Sequence, residues 1–174
     1  MLATLKRLPA NCVLTTMKSP VGTLWLVASD RGLHALLWET DLKEKECKNL
    51  LSELDGDDRH PTLSKTVRQL KEYFSGKRKE FDLPLVLDGT SFQKKAWRQL
   101  QAIPYGKTVS YQAQATAIGD SKKARAVGTA NSRNPIGIIV PCHRVIAKSG
   151  ALSGFGGGLH NKKLLIELES SASQ

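Results

Sequence analysis

Ile136-Gly137-Ile138-Ile139-Val140-Pro141-Cys142-His143-Arg144-Val145-Ile146 is the stretch on which the reading of this chain turns. Its first five residues are apolar and mostly β-branched, which predicts a buried strand over 136–140. That strand would deliver Pro141-Cys142-His143-Arg144 at its end. A free thiol has a pKa of about 8.5 and is mostly protonated at neutral pH, so nearby cations or an imidazole base favour the nucleophilic thiolate. His143 is adjacent, yet neighbouring side chains of an extended chain point to opposite faces. Contact with Cys142 therefore requires a bent backbone or a bridging water. A carboxylate orienting the imidazole would complete a Cys–His–acid relay, and this half of the chain offers only Asp120, Glu167 and Glu169. Lone buried cysteines are also commonly inert core residues. At this level both readings of Cys142 stand.

Working outward, Asn134-Pro135 breaks whatever precedes the strand. Phe92, Ala96, Trp97 and Leu100 lie at helical spacing, and Pro104-Tyr105-Gly106 stops that helix. Tyr111–Ile118 reads as a short helix ending at Gly119. Asp120 or Ser121 can cap the next, roughly Lys122 to Ser132. Two short helices joined by a tight turn suggest helix-turn-helix geometry. The second carries Lys122, Lys123 and Arg125 among small residues, which suits either tight helix packing or close docking to DNA. After the cysteine come a glycine-rich stretch, Gly150 to Gly158, and a last amphipathic helix over Lys162–Leu168 ending near Glu169.

The charge is lopsided. Of the net +10, residues 1–90 hold 14 Lys and Arg against 13 Asp and Glu, and the remainder holds 12 against 3. Between Ser91 and Lys163 the only acidic residue is Asp120. A like-charged half repels itself unless a polyanion neutralises it, so this is either a solvated basic face or a phosphate-tracking surface.

Asp88-Gly89-Thr90 reads as a boundary between an α+β structural domain over 1–88 and a functional domain over 89–174. In the first, Val13–Thr16, Thr23–Ala28 and Leu33–Trp38 are separated by turn clusters and predict an antiparallel meander. Asp41–Leu54 reads as a surface helix. Thr62 is placed to cap a helix burying Leu63, Val67, Leu70 and Phe74, which Gly76 ends. Phe81–Leu87 looks extended, with Pro84 arguing for an edge. Cys12, Cys47 and Cys142 make no disulfide framework and have no metal-ligand spacing, so free thiols and no metal are expected. The chain has no apolar run of eighteen residues and no secretory signal. A cytoplasmic location follows as the expectation, or nuclear in a eukaryote, with no membrane partner.

The stretch from Ile139 to Ile146 resembles the active-site signature of the O6-alkylguanine-DNA alkyltransferases, the methylated-DNA–protein-cysteine methyltransferases. The likeness runs collinearly from Phe92 to Glu169. It takes in Phe92-Gln93, Trp97, Ile103-Pro104-Tyr105-Gly106, Ser110-Tyr111, Ala124 to Gly128, Asn134-Pro135, Gly154-Phe155, Gly157-Gly158-Leu159, Lys162 and Leu164-Leu165. Residues 1–90 match only in length and pattern. The resemblance implies a ribonuclease H-like first domain and a winged helix-turn-helix-like second one. It implies a DNA repair protein that flips O6-alkylguanine, and O4-alkylthymine, out of duplex DNA and transfers the alkyl group irreversibly to Cys142, once per chain. His143 would be the base acting through a water, Glu169 would orient it, and Asn134 would hold the preceding segment. Arg125 would replace the extruded nucleotide in the stack, and Tyr111 would press on its phosphate and donate towards the base. Ser110, Gln112, Ala124, Ala126 and Gly128 would line the DNA-facing helices. Backbone groups of Val145 and Cys142 would read the guanine edge, and Phe155, Gly156 and Gly157 would wall the pocket. The partner implied is double-stranded DNA, entered through the minor groove, by a monomer using no cofactor.

From the residues themselves the other readings stay open. Arg125 could contact a phosphate, Tyr111 could be a core aromatic, the glycines could form a mobile loop, and Asn134 could simply make a turn. Two other functions compete: a lesion-binding winged helix-turn-helix protein that transfers nothing, and a cysteine hydrolase using Cys142 and His143. Departures from the family pattern are Gln114, where an apolar residue is usual, Gly156, where serine or alanine is common, and Lys123.

Overall fold

The structure is a computed structural model and describes residues 1–171, so the last three residues of the expected second domain lie outside it. It divides into two compact units, Met1–Asp88 and Gly89 onward.

The first unit is built on a four-stranded sheet of order β3-β2-β1-β4, with β1 Val13–Ser19, β2 Gly22–Ser29, β3 Gly32–Trp38 and β4 Asp55–Gly56. The meander is antiparallel as the turn clusters predict, but β4 joins β1 in parallel, so the sheet is mixed. β3 is buried along its whole length, in keeping with its mostly apolar sequence, and its one polar side chain, His34, meets Ser29 Oγ at 2.8 Å. The segment after Phe81 lies beside it. Leu33 N donates to Pro84 O at 2.8 Å and Val86 N donates to Leu33 O at 2.8 Å. Pro84 sits where only an acceptor is needed.

Helix α1 spans Leu2–Leu5 and α2 spans Lys45–Ser52, shorter than the expected 41–54; a 3₁₀ turn, Asp41–Lys43, precedes α2. Cys12, Cys47 and Leu51 pack in one apolar cluster with Val27 and Leu37. α3 covers Pro61–Phe74, and Thr62 does not cap it. His60 holds that position without a side-chain bond, and Pro61 starts the helix with a preset φ. The buried stripe is Leu63, Thr66, Gln69, Leu70 and Tyr73, so Val67 and Phe74 sit at its margin. Thr66 can turn inward because its hydroxyl donates to Thr62 O at 2.7 Å.

The second unit opens with α4, Ser91–Gln101. Thr90 and Gln93 satisfy each other's backbone donors in a capping box. Ala96, Trp97 and Leu100 are buried, and Trp97 Nε1 donates to Ala130 O at 2.9 Å. α5 (Tyr111–Ala117) and α6 (Ala124–Ser132) form the helix-turn-helix. Gly119 turns the corner at φ 101°, a conformation glycine adopts without steric cost. The Asp120 side chain caps a 3₁₀ turn, Ser121–Lys123, that leads into α6. Two two-residue strands, β5 Val109–Ser110 and β6 Val145–Ile146, pair in parallel, and α7 runs Leu159–Ser171.

Residues 136–140 are buried but are not a strand. Ile139 N donates to Gly137 O and Val140 N to Ile136 O, both at 2.9 Å, so the chain coils on itself. Asn134 closes the coil at both ends, donating from Nδ2 to Val140 O at 2.7 Å and accepting from Ile136 N at 3.1 Å. Ile138 is held at φ 69°, which costs a side-chain-bearing residue roughly 1–2 kcal/mol. A run of β-branched residues reports burial; a side-chain amide that competes for the backbone bonds decides the conformation.

Candidate functional site

The coil at 136–140 hands the chain to a 3₁₀ turn, Cys142–Arg144, which β6 then ends. The expected alternation of Cys142 and His143 across a strand therefore does not arise. Cys142 remains partly exposed, whereas His143 is fully buried. Surrounding protein raises the Cys142 pKa; a hydrogen bond from Asn134 and the charge of Lys162 act against that rise. Asn134 thus shapes the coil and touches the thiol.

Behind the thiol lies a buried ionic cluster. His143 Nε2 is 2.7 Å from Glu169 Oε1. Arg144 forks onto the same carboxylate, with Nε 2.9 Å from Oε2 and Nη2 3.0 Å from Oε1. Gly106 N donates to Oε2 at 3.0 Å, and Arg144 Nη1 donates to Ile103 O at 2.5 Å. Burial would raise the Glu169 pKa, but bonds and charge from His143 and Arg144 more than offset this and hold it at about 2. Glu169 is therefore a carboxylate that accepts from the imidazole. His143 is pushed down by burial, against the raising effect of Glu169, and stays neutral. With Nε2 as the donor, Nδ1 carries the lone pair. Nδ1 is buried and no described residue hydrogen-bonds it, so it is the basic atom this arrangement leaves open. The other carboxylates are engaged elsewhere: Asp120 Oδ1 accepts from Lys122 N at 3.0 Å, and exposed Glu167 lies 3.7 Å from Lys163.

On the other side, Lys162 of α7 is fully buried. Its Nζ donates to Val145 O at 2.7 Å and to Ser153 O at 2.8 Å, and sits 5.8 Å from the centre of the Tyr111 ring. Lys162 ties the strand after the cysteine to the glycine-rich loop. The Tyr111 hydroxyl donates to Ser153 O at 3.2 Å, so the same loop also meets the start of α5. Gly128 of α6 lies against that ring; a Cβ there would touch it at 3.7 Å. In the loop Phe155 is half-buried, Gly156 exposed and Gly157 buried, its carbonyl accepting from Asn161 at 2.9 Å.

On the helix-turn-helix, Gln112, Arg125 and Ala126 are exposed and Ala124 is half-buried. Lys122, Lys123 and Arg133 add exposed positive charge. Ser110 caps α5, its Oγ accepting from Ala113 N at 3.0 Å. Contacts thus join Cys142, His143, Glu169, Asn134, Val145 and Tyr111 into one cluster. Arg125 stands apart from it, one turn along α6 from Gly128.

Sequence reasoning gave no role to Arg144 or Lys162. Both sit in recognised motif stretches, but nothing in the sequence distinguishes a buried cation from a solvated one. Gln114 is explained by a partner that the sequence does not reveal. It is buried, donates to Ala96 O at 3.1 Å and accepts from Asn131 Nδ2 at 2.7 Å. Among the described residues no group of His, Cys, Asp and Glu is placed to hold a metal ion, and no helix is long and apolar enough to cross a membrane.

Two family models match: the 6-O-methylguanine DNA methyltransferase DNA binding domain over residues 91–171, and the ribonuclease-like domain over residues 12–87. A methylated-DNA–protein-cysteine methyltransferase of Methanosarcina barkeri is 43% identical over 155 residues, covering 89% of this chain and 95% of that protein. One of Mycobacterium tuberculosis is 46% identical over 156 residues, 90% and 91% of the two chains. The crystal structure of the Mycobacterium tuberculosis O6-methylguanine methyltransferase superposes with a TM-score of 0.83 at 43% identity, covering 94% of this chain and 95% of that one. The mycobacterial protein crystallised in complex with DNA gives 0.80 at 44% identity, covering 90% and 92%.

Proposed function

The chain belongs to the 6-O-methylguanine DNA methyltransferase family, and on that premise we propose that it repairs O6-alkylguanine in duplex DNA by taking the alkyl group onto Cys142. The observation that carries the reading is the buried His143–Glu169 pair beside a partly exposed thiol.

A thiolate cannot approach the O6 alkyl carbon in line while the base is stacked, so the nucleotide must be extruded, at a cost of roughly a few kcal/mol. α6 enters the minor groove with Ala124, Ala126 and Gly128 permitting close approach, and Arg125 fills the gap left in the stack. Ser110 and Gln112, at the start of α5, face the backbone. Lys122, Lys123 and Arg133 supply phosphate contacts that weaken with salt. The extruded base lies between Tyr111 and the loop of Phe155, Gly156 and Gly157. The carbonyl of Val145 bonds Lys162 with one lone pair and keeps a second for the base edge.

In the transfer itself the carbon–oxygen bond breaks as the carbon–sulfur bond forms. The thiol proton passes, through a water, to His143 Nδ1, whose ring Glu169 orients. The departing guanine takes a proton from the Tyr111 hydroxyl, which exchanges its bond to Ser153 O for one to the base. A thioether has no easy leaving group, so one chain repairs one lesion. O4-alkylthymine is accepted in the same way. The protein acts as a monomer and uses no cofactor.

The test is incubation with an O6-methylguanine duplex followed by peptide mass analysis. One added methyl is expected on the peptide containing Cys142 and none on Cys142→Ala. A wild-type peptide that stays unmodified refutes the proposal.

A further inference from the structure

The relay contains a residue that the reaction as described does not use. Arg144 follows His143 in the same turn, yet its side chain reaches the same carboxylate, and it is only 6% exposed. Glu169 Oε1 is shared between the imidazole and the guanidinium, and Oε2 between the guanidinium and Gly106 N. Every acceptor direction of that carboxylate is engaged, and a fixed positive charge lies against it.

An imidazole beside a lone buried carboxylate becomes a strong base, because the carboxylate stabilises the imidazolium. A relay built that way would hold the proton before substrate arrived. Here a second cation competes for the same anion. We propose that Arg144 is a positioning residue that sets the proton affinity of His143: its fork onto Glu169 keeps the carboxylate ionised and the imidazole neutral until the sulfur attacks. The inference rests on the alkyl-transfer reading for its purpose, but not for its measurement.

The charged and titratable groups around His143 are few. Glu169 and Lys162 come from α7, Arg144 and Cys142 from its own turn, and Tyr105, near Glu169, from the segment after α4. Of these only Glu169 favours the imidazolium; Arg144 and Lys162 both oppose it. Lys162 spends its bonds on Val145 O and Ser153 O. Arg144 alone couples to His143 through a shared partner. The planar fork matters as much as the charge, since a lysine would meet one oxygen only.

The test is the titration of His143, followed by NMR of its ring carbon and nitrogens, in the wild type, Arg144→Gln and Arg144→Lys. In the wild type the ring is expected to stay neutral, with the proton on Nε2, below the ordinary histidine range. Removing the guanidinium, which opposes the imidazolium and holds the carboxylate the ring shares, should raise the titration by about one pH unit, the low end of the roughly 1–3 units by which a nearby charge moves a pKa. The acid limb of the single-turnover transfer rate should move to higher pH by the same amount, since the neutral imidazole is the base. Arg144→Lys should shift in the same direction by less. A merely structural arginine would lower the melting temperature of both variants and leave the titration where it was.

A folded Arg144→Gln whose His143 titrates as in the wild type overturns the proposal. If that variant does not fold, an unshifted Arg144→Lys does so instead. A wild-type His143 that is protonated above pH 7 overturns it without any variant. Failure of the wild type to take up a methyl group would count against the repair reading and leave these titrations interpretable.

Discussion

Glu169→Gln tests whether the ionic cluster behind the thiol is as tightly coupled as its geometry indicates. The substitution keeps shape and removes one charge. Arg144, 6% exposed, is then buried without a counter-ion, and the His143 bond loses its charge assistance. Breaking a buried ion pair by removing one partner costs about 3–5 kcal/mol. A second route gives a similar figure. The carboxyl is held at about 2 against an ordinary 4.5. A depression of that size corresponds to about 3 kcal/mol of native-state stability. The sign follows from the direction. A carboxylate with a lowered folded pKa contributes fully above its unfolded value of 4.5 and loses that contribution as pH falls through about 2. The difference between wild type and variant should therefore be large at pH 7 and small near pH 2. For a chain of this length, about 2–4 °C of melting temperature accompany each kcal/mol, so Tm at pH 7 should fall by roughly 10 °C. Calorimetry across pH 2–8 reads both quantities. A loss below about 1 kcal/mol at pH 7, or a gap that persists unchanged at pH 2, would refute the assignment of Glu169 as a permanently ionised anchor.

Three further outcomes are expected. Arg125→Ala should slow methyl transfer from duplex DNA far more than from free O6-methylguanine, and equal slowing on both would exclude a role in extrusion. Gln114→Leu should destabilise by about 1–3 kcal/mol, because it strands the buried Asn131 amide, and Gln114→Leu with Asn131→Leu should recover part of that loss in urea unfolding. Cys12 and Cys47 are buried, with thiols held at about 11, and only Cys142 is partly exposed, so under native conditions iodoacetamide should reach Cys142 alone among the three although burial raises its thiol too, as peptide mass mapping would report.

Most of the site was legible because its signals are local. Cys142, His143 and Asn134 lie within nine residues of one another, and the glycine stretch follows directly. Glu169 could be named only through the family resemblance, since Asp120 and Glu167 met the same chemical requirement. The structure separates them by location: Asp120 caps a turn, Glu167 faces solvent, and Glu169 lies on the inward face of α7. The mistaken strand at 136–140 shows where local reasoning failed. Burial and β-branching belong to the residues themselves, but the conformation is set by the bonds Asn134 makes across the coil. In α3 the stripe rotated from Val67 and Phe74 to Thr66 and Tyr73, because the hydrophobic period fixes a face only to within a neighbouring row.

The sequence by itself determined what depends on neighbours along the chain. It set the meander and its turns, the helix-turn-helix, the break after Asp88, the concentration of positive charge in the second half and the residue that carries the sulfur. Only the tertiary structure decided which charges are buried and what they face. Arg144 and Lys162 read as ordinary basic residues until folding places them against a carboxylate and two carbonyls. Periodicity is a property of one segment, whereas the proton affinity of the His143 imidazole depends on charges from its own turn and from α7, about twenty or more residues further along the chain. Electrostatic energy in a low-dielectric interior follows distance through space, and the order of residues along the chain does not specify that distance.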